Sequence, residues 1–438
     1  MFPLGMLKGT PGSSQKYRNL TELVKWIPHL KSLSVDCVLL GPVFQSLDHG
    51  YDVVNQKQVD SRIGSNQDLK ELIEKFHAEG IRVVLDAVFN HTSRSHFAYR
   101  SLIDKRQNSP YKGWYQNIKW DHTNSYGDPF CVDCWDGHAS LPKLNVLNHE
   151  VWNEIQDTVN LWMDEFKVDG LRLDAADVID MEFLGRLSDY CHCKNKNFWL
   201  MGEVVHGDYR QWLERGGLDS VTHYEGYKSL WSSFNDLNFF EIAYSLDRTS
   251  SSDKGIYRDY NLYLFNENHD VSRLASVLKD YNHIYALHLM HYTFPGIPSL
   301  YYGEEFGMKA LKRNGDDWNL RPAMNSFFPD GYGDVKLYEE ICKYARLRLE
   351  HPCLRYGGYK QIYLQSKQFA YLRTNEEETL LIVVNSDSNP IRVTMDIPGY
   401  KMAFGSLLQC PDNGIDVSNG KLSMDLSGYE SAVFQLIA

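Results

Sequence analysis

The stretch VDGLRLDAADV, residues 168–178, reads as a short buried strand that nevertheless carries an arginine and an aspartate two positions apart. Side chains alternate along a strand, so Arg172 and Asp174 share one face while Leu171 and Leu173 occupy the other. Burying a charge is costly, and burying an ion pair is rarely a gain in stability. A chain that keeps such a pair inside a strand has a use for it.

Outward from this stretch, apolar runs alternate with amphipathic stretches as far as about residue 352. VDCVLLGPVF (35–44) precedes NQDLKELIEKFHAEG (66–80), read as a helix opened by an Asn66 cap and closed by Gly80. IRVVLDAVFNH (81–91) follows, and later strand candidates are GLRLDAAD, FWLMGEVV, LDSVTHYE, LYLFNENHD and GIPSLYYGEE. The helices between them include 151–166 and 281–294. With MFPLGM at the start counted as a strand, the pattern predicts eight strands separated by helices. Repeated strand–helix units of this number predict a (β/α)8 TIM barrel. A doubly wound open sheet is the alternative, but no glycine-rich phosphate loop follows any strand.

The alternation is interrupted between His91 and Leu147, a segment rich in Trp, Tyr, Asn, Asp and Gly without clear periodicity. From about residue 353 the runs QIYLQ, FAYLR, TLLIVVN and IRVTMDI alternate with period two, as antiparallel sandwich strands do. The expected organisation is a catalytic barrel over 1–90 and 148–352, an insertion over 91–147, and a β-sandwich domain over 353–438.

Composition narrows the partners. The 438 residues are 43% hydrophobic and 23% charged, with a net charge of −12, which disfavours nucleic acid or an anionic membrane as the main partner. Aromatics reach 13%, a surplus that suits stacking on sugar rings as well as core packing. No apolar run has the length of a membrane span, and the N-terminus lacks the basic and apolar segments of a secretion signal. Eight cysteines without such a signal imply free thiols in a reducing, cytoplasmic compartment. CVDC (Cys131, Cys134) and CHC (Cys191, Cys193) could in principle hold zinc, but nothing in the sequence joins the two pairs.

In a (β/α)8 enzyme the chemistry sits at the C-terminal ends of the strands, and here those ends are polar. They supply Asp86, Asn90 and His91, then Arg172 and Asp174, then Glu203, then His269 and Asp270. Converging carboxylates repel and need compensation, a mark of functional sites. Two chemistries fit such a set. Carboxylates ligate divalent metals, although a fixed arginine beside Asp174 would compete with the ion. The other is glycosyl transfer with retention, in which one carboxylate attacks the anomeric carbon and a second protonates the leaving oxygen. Arg172 would then keep the attacking carboxylate ionised and oriented.

DAVFNH (86–91), GLRLDAAD (170–177), GEVVH (202–206) and NENHD (266–270) resemble, in order, the four signature segments of the α-amylase family, and LPKLN (141–145) resembles a fifth. The resemblance covers the whole chain. It implies a barrel with an irregular domain inserted after strand 3 and a C-terminal antiparallel β-sandwich. By motif, Asp174 matches the nucleophile, Glu203 the general acid/base, and Asp270 the third carboxylate. Arg172 matches the arginine beside the nucleophile, His91 and His269 the hydroxyl-binding histidines, and Tyr51 a tyrosine stacked on the reacting sugar. Glu267, Glu304 and Glu305 match no catalytic position and are read as supporting or exposed charges.

LPKLN is most similar to the version in the neopullulanase and cyclomaltodextrinase branch, whose N-terminal domain has no counterpart in this chain. The resemblance implies hydrolysis of α-1,4 bonds in malto-oligosaccharides or cyclodextrins. The alternatives are an α-glucan transglycosylase or a non-catalytic sugar-binding barrel. Asp177 and Val178 stand where extracellular α-amylases carry a Lys-His pair. Asn90 matches a structural-calcium ligand of many α-amylases. The resemblance allows that ion without requiring it, and it implies no other cofactor.

Overall fold

The computed structural model describes residues 1–9, 16–325, 333–400, 402–408, 416–418 and 420–437. The chain divides into two compact units. The first comprises Met1–Lys31, Val35–Val221 and Arg321–Phe327; the second comprises Ser32–Ser34, Thr222–Leu320 and Phe328–Ala438.

The first unit is built on five parallel strands in spatial order: Cys37–Leu40, Arg82–Ala87, Gly170–Leu173, Trp199–Gly202 and Ser220–Val221. Helices form the crossovers, as parallel pairing demands. Helix Asn66–Ala78 leads into Arg82–Ala87, and helix Met181–Lys194 leads into Trp199–Gly202. The Gly170–Leu173 strand is buried along its whole length. Gly170 permits its close pairing, because a Cβ there would lie 2.3 Å from the Trp199 carbonyl oxygen.

Two local expectations are corrected. MFPLGM is not a strand: Pro3–Met6 forms one helical turn with Pro3 at its first position, where a missing N–H costs nothing. Met1 alone behaves as strand, its amino group bonding the Leu39 carbonyl at 2.7 Å and its carbonyl accepting the Gly41 N–H at 2.8 Å. The second correction concerns helix 66–78. Its cap is Ser65, which exchanges bonds with Asp68 in a capping box. Asn66 is spent on the preceding strand, accepting from Val59 N–H and donating to the Lys57 carbonyl. Gly80 ends the turn with φ +76°, as expected.

The segment 91–147 contains a helix, Phe97–Lys105, that its sequence did not reveal. The rest is held by isolated bridges, among them His91 with Lys143, Tyr115 with Leu144 and Cys134 with Pro142. LPKLN thus lies antiparallel to the segment that follows strand Arg82–Ala87.

The second unit carries two short parallel strands, Tyr263–Leu264 and Ile297–Pro298, with helices Tyr224–Asn235, Phe240–Ser250, His283–Thr293 and Val335–Glu350. Helix His283–Thr293 is buried on almost every side. Beyond Val335–Glu350 lie two antiparallel sheets. The larger contains Gly358–Leu364, Gln368–Thr374, Thr379–Asn385, Ser431–Ile437 and Met402–Leu408; the smaller contains Ile391–Asp396, Lys421–Leu426 and Asp416–Ser418. Ala370, Leu381, Val383, Val393, Met395, Leu422, Met424 and Phe434 fill the space between the sheets. This is the sandwich that the period-two pattern predicted. No helix among the described residues is long and apolar enough to cross a membrane.

Candidate active site

The ladder of the first unit sets the site's backbone. Asp86 is in register with Arg172, and Leu173 with Gly202. The pairing runs one step past each strand end, so Asp174 N–H bonds the Ala87 carbonyl at 3.0 Å and Glu203 N–H bonds the Leu173 carbonyl at 3.0 Å. Both carboxylate-bearing residues therefore start from backbone positions that the sheet fixes.

Arg172 lies at the centre. Its Nη1 donates to Asp86 Oδ1 at 2.8 Å and to Asp174 Oδ1 at 2.9 Å, and its Nη2 lies 2.8 Å from Glu203 Oε2. The guanidinium is buried, as are Asp86 and Asp174. Burial pulls the guanidinium pKa down, but the charges of Asp86, Glu203 and Asp174 outweigh it and hold the pKa well above the ordinary arginine value. One cation thus compensates three converging carboxylates. Asp86 also accepts the Tyr51 hydroxyl at 2.8 Å, so it connects the candidate sugar-stacking ring to the arginine. Motif matching gave Asp86 no such role, because its partner was visible only once the strand register was known.

Immediately after Asp174 the chain turns sharply. Ala175 adopts φ 48°, ψ 40°, a left-handed conformation that L-residues other than glycine, asparagine and aspartate rarely take. That turn aims the Ala175 N–H at Glu203 Oε2, 3.0 Å away. Strain of this kind persists where the surroundings over-determine the backbone. Here it supplies Glu203 with a second fixed donor.

His91 is buried, and burial pushes its imidazole down to about 4 against the opposing effect of a bond to Tyr51. The ring is neutral near pH 7. Nε2 lies 3.2 Å from the Tyr51 carbonyl and Nδ1 lies 3.1 Å from Asn90 Nδ2. This assigns the proton to Nε2. Tyr51 stands on a tight loop in which Asp52 accepts the N–H groups of Asp48, His49 and Gly50. Gly50 is required there, with φ +98° and a hypothetical Cβ only 2.6 Å from Pro42 Cβ.

The insertion reaches the same place. Lys143 of LPKLN donates from Nζ to the Val178 carbonyl at 2.9 Å. Asp177, one position earlier, bonds the Glu203 carbonyl through its own N–H at 3.2 Å. Burial raises the Asp177 carboxyl, and the Glu203 charge adds to the effect. Of the three insertion tryptophans, Trp135 lies against His91 with ring centroids 5.9 Å apart. Trp114 is buried among Tyr111, Phe97 and His96, and Trp120 packs on Phe130.

His269 and Asp270 belong to the second unit. They are paired with each other, Nε2 to Oδ2 at 2.9 Å. Of the two readings given to Glu267, Glu304 and Glu305, supporting or exposed charges, the exposed one does not hold: all three are buried. Glu267 pairs with Arg273 at 2.6 Å, and Glu304 accepts from Asn266 Nδ2 and lies 3.1 Å from His288 Nε2. Among the described residues no group of three or more His, Cys, Asp or Glu side chains is arranged to hold a metal ion. Asn90 Oδ1 is buried without a partner, and no carboxylate cluster gathers with it as a hard cation would require. The seven described cysteines are all free thiols.

Among curated relatives, this chain is 28% identical over 383 residues to a cyclomaltodextrinase of a Bacillus species, covering 84% of this chain and 66% of that one. It is 26% identical over 428 residues to neopullulanase 2 of Thermoactinomyces vulgaris, covering 95% of this chain and 70% of that one. The chain spans just under two thirds, 64% to 66%, of the length of the cyclomaltodextrinases it matches. In fold it superposes on the Nostoc punctiforme debranching enzyme with a TM-score of 0.85 at 23% identity, over 99% of this chain and 96% of that one. The alpha amylase catalytic domain matches residues 14–336. The chain belongs to the α-amylase family, with that family's (β/α)8 barrel fold and an antiparallel β domain at its C-terminal end.

Proposed function

We propose that this protein is a retaining glycoside hydrolase that cleaves α-1,4-glucosidic bonds of malto-oligosaccharides or cyclodextrins. The observation that carries the reading is the single guanidinium of Arg172 bonded to both Asp174 and Glu203. It holds two carboxylates within the span of one side chain at the ends of adjacent strands, as a two-carboxylate mechanism needs. The names of the relatives, cyclomaltodextrinase and neopullulanase, support the substrate class.

In this mechanism Asp174 Oδ attacks the anomeric carbon while the Glu203 carboxylic acid gives its proton to the departing glycosidic oxygen. The C–O bond to the leaving sugar breaks as the bond to Asp174 forms. Glu203, now a carboxylate, takes a proton from water, and the resulting hydroxide displaces Asp174 from the anomeric carbon. Arg172 orients both groups throughout. His91, His269 and Tyr51 bind the reacting sugar, and Asp270 is the third carboxylate, all on the strength of the motif match. Free thiols at all described cysteines support a cytoplasmic location.

The test is hydrolysis of maltotriose and a cyclodextrin by the wild type, D174N and E203Q, with the product anomer followed by NMR. The α-anomer should appear first. Either variant retaining more than about a hundredth of wild-type kcat would overturn the assignment, since acid–base groups alone contribute about 10²- to 10⁴-fold. Longer oligosaccharides formed at high maltotriose concentration would indicate transfer in place of hydrolysis.

A further inference from the structure

Two buried charges in the second unit have no part in the chemistry above, and their geometry gives them one. After strand Tyr263–Leu264 the chain runs through Asn266 to Leu274, and the Glu267 carboxylate bonds to the far end of that run. Its Oε1 accepts from Arg273 Nη1 at 2.6 Å and its Oε2 from the Leu274 N–H at 2.6 Å. The loop so closed carries His269 and Asp270 at its crown. Beneath the crown, Asn268 Oδ1 accepts the N–H groups of Asp270 at 2.8 Å and Val271 at 3.1 Å.

Arg273 anchors the closed loop in turn. Its Nη1 also donates to the Tyr302 carbonyl at 2.9 Å and its Nη2 to the Leu320 carbonyl at 2.8 Å. Its guanidinium lies 4.2 Å from the centre of the Tyr301 ring, and that ring packs 6.5 Å from His269. Burial pushes the Glu267 carboxyl up while Arg273 works against that shift. A buried ion pair is seldom more stable than the apolar pair that could replace it. What this pair adds is direction, because four bonds at fixed angles define one loop shape where apolar packing would allow several.

We propose that Glu267 and Arg273 are positioning residues that hold the His269–Asp270 pair in the geometry hydrolysis requires. The inference rests on the reading of Asp270 as the third carboxylate. It predicts that loosening the pair harms turnover while leaving the fold intact.

The experiment compares wild type, D270N, R273K and the double variant E267Q/R273M by maltotriose kinetics and thermal unfolding. The double variant removes both buried charges together and so leaves neither unpaired; its kcat is expected to fall by about 100-fold with KM within about threefold. R273K keeps the charge but loses the planar fork, and kcat falls by about tenfold. Should the double variant fail to fold, the R273K result decides. Near wild-type kcat in a folded double variant, or in R273K, overturns the positioning role. Near wild-type kcat in D270N overturns the reading of Asp270 instead, so the two failures are distinguishable.

Discussion

Arg172 Nη2 lies 2.8 Å from Glu203 Oε2, and the same guanidinium holds Asp174 through Nη1. The candidate nucleophile and the candidate acid/base therefore share one buried counterion. Removing it exposes three carboxylates to one another. R172M is expected to destabilise the fold by about 3–5 kcal/mol, the cost of a buried charge left without its partner. R172K retains a charge but only as a compact ammonium, which cannot bond Asp86, Asp174 and Glu203 in a plane. Its unfolding midpoint should fall between those of R172M and wild type. Equal midpoints for all three proteins would show that the cation is not compensating the cluster.

Ala175 offers a test of strain. A left-handed alanine costs about 1–2 kcal/mol, so A175G should be neutral or stabilising by up to about 1 kcal/mol, the extra chain freedom of glycine offsetting part of the gain. A175V places a β-branched residue at φ 48° and should cost about 1–3 kcal/mol. Because the Ala175 N–H bonds Glu203, A175V should also lower kcat more than it raises KM. Thermal unfolding and maltotriose kinetics on the two variants check both halves. A valine variant as active and stable as wild type would refute the argument.

Acid stability should depend on buried histidines. Burial pushes His91 and His96 down to about 4 in the folded protein, whereas in the unfolded chain both titrate near 6.5. Between these values the unfolded state binds more protons, so stability is full above about pH 6.5 and falls as pH drops toward 4. Each histidine accounts for on the order of 3 kcal/mol across that window. His96, packed on Phe97 and within 3.3 Å of the Tyr115 hydroxyl, is the one to change. H96Q should flatten the fall of the unfolding midpoint between pH 7 and 4. Parallel curves for variant and wild type would rule His96 out.

A chelator addresses calcium directly. With Asn90 Oδ1 buried and unpartnered but no carboxylate cluster among the described residues to join it, the unfolding midpoint should be the same in EDTA as in millimolar calcium. A midpoint raised by calcium and restored to the lower value in N90A would make Asn90 a ligand.

Barrel and site were legible to different depths. Asp174, Arg172 and Glu203 could be named because each lies within or at the end of a short apolar run, where a charge is conspicuous. Asp86 closes such a run as well, but its bonds to Arg172 and Tyr51 depend on cross-strand register and on a loop 35 residues earlier, which no local pattern encodes. The burial of Glu267, Glu304 and Glu305 was hidden for a similar reason. A charged residue at a strand end looks solvated until its partners, here Arg273, Asn266 and Tyr301 N–H, are located. MFPLGM misled because apolar composition suits a strand and a helical turn equally, and Pro3 decided for the turn. Helix Phe97–Lys105 was missed because its aromatic and polar neighbours mask the roughly 3.6-residue period of so short a helix, nine residues in all.

Lys143 spans from the insertion to the carbonyl of Val178, four residues past Asp174. The insertion is for that reason not a detachable module. Exchange of residues 91–147 for the corresponding segment of a relative would carry along, or sever, a tether to the turn behind the candidate nucleophile. A graft that ends before LPKLN would act on the candidate catalytic carboxylates without touching them. The safe seam for such recombination lies beyond Val178, so that the lysine and its acceptor are inherited together.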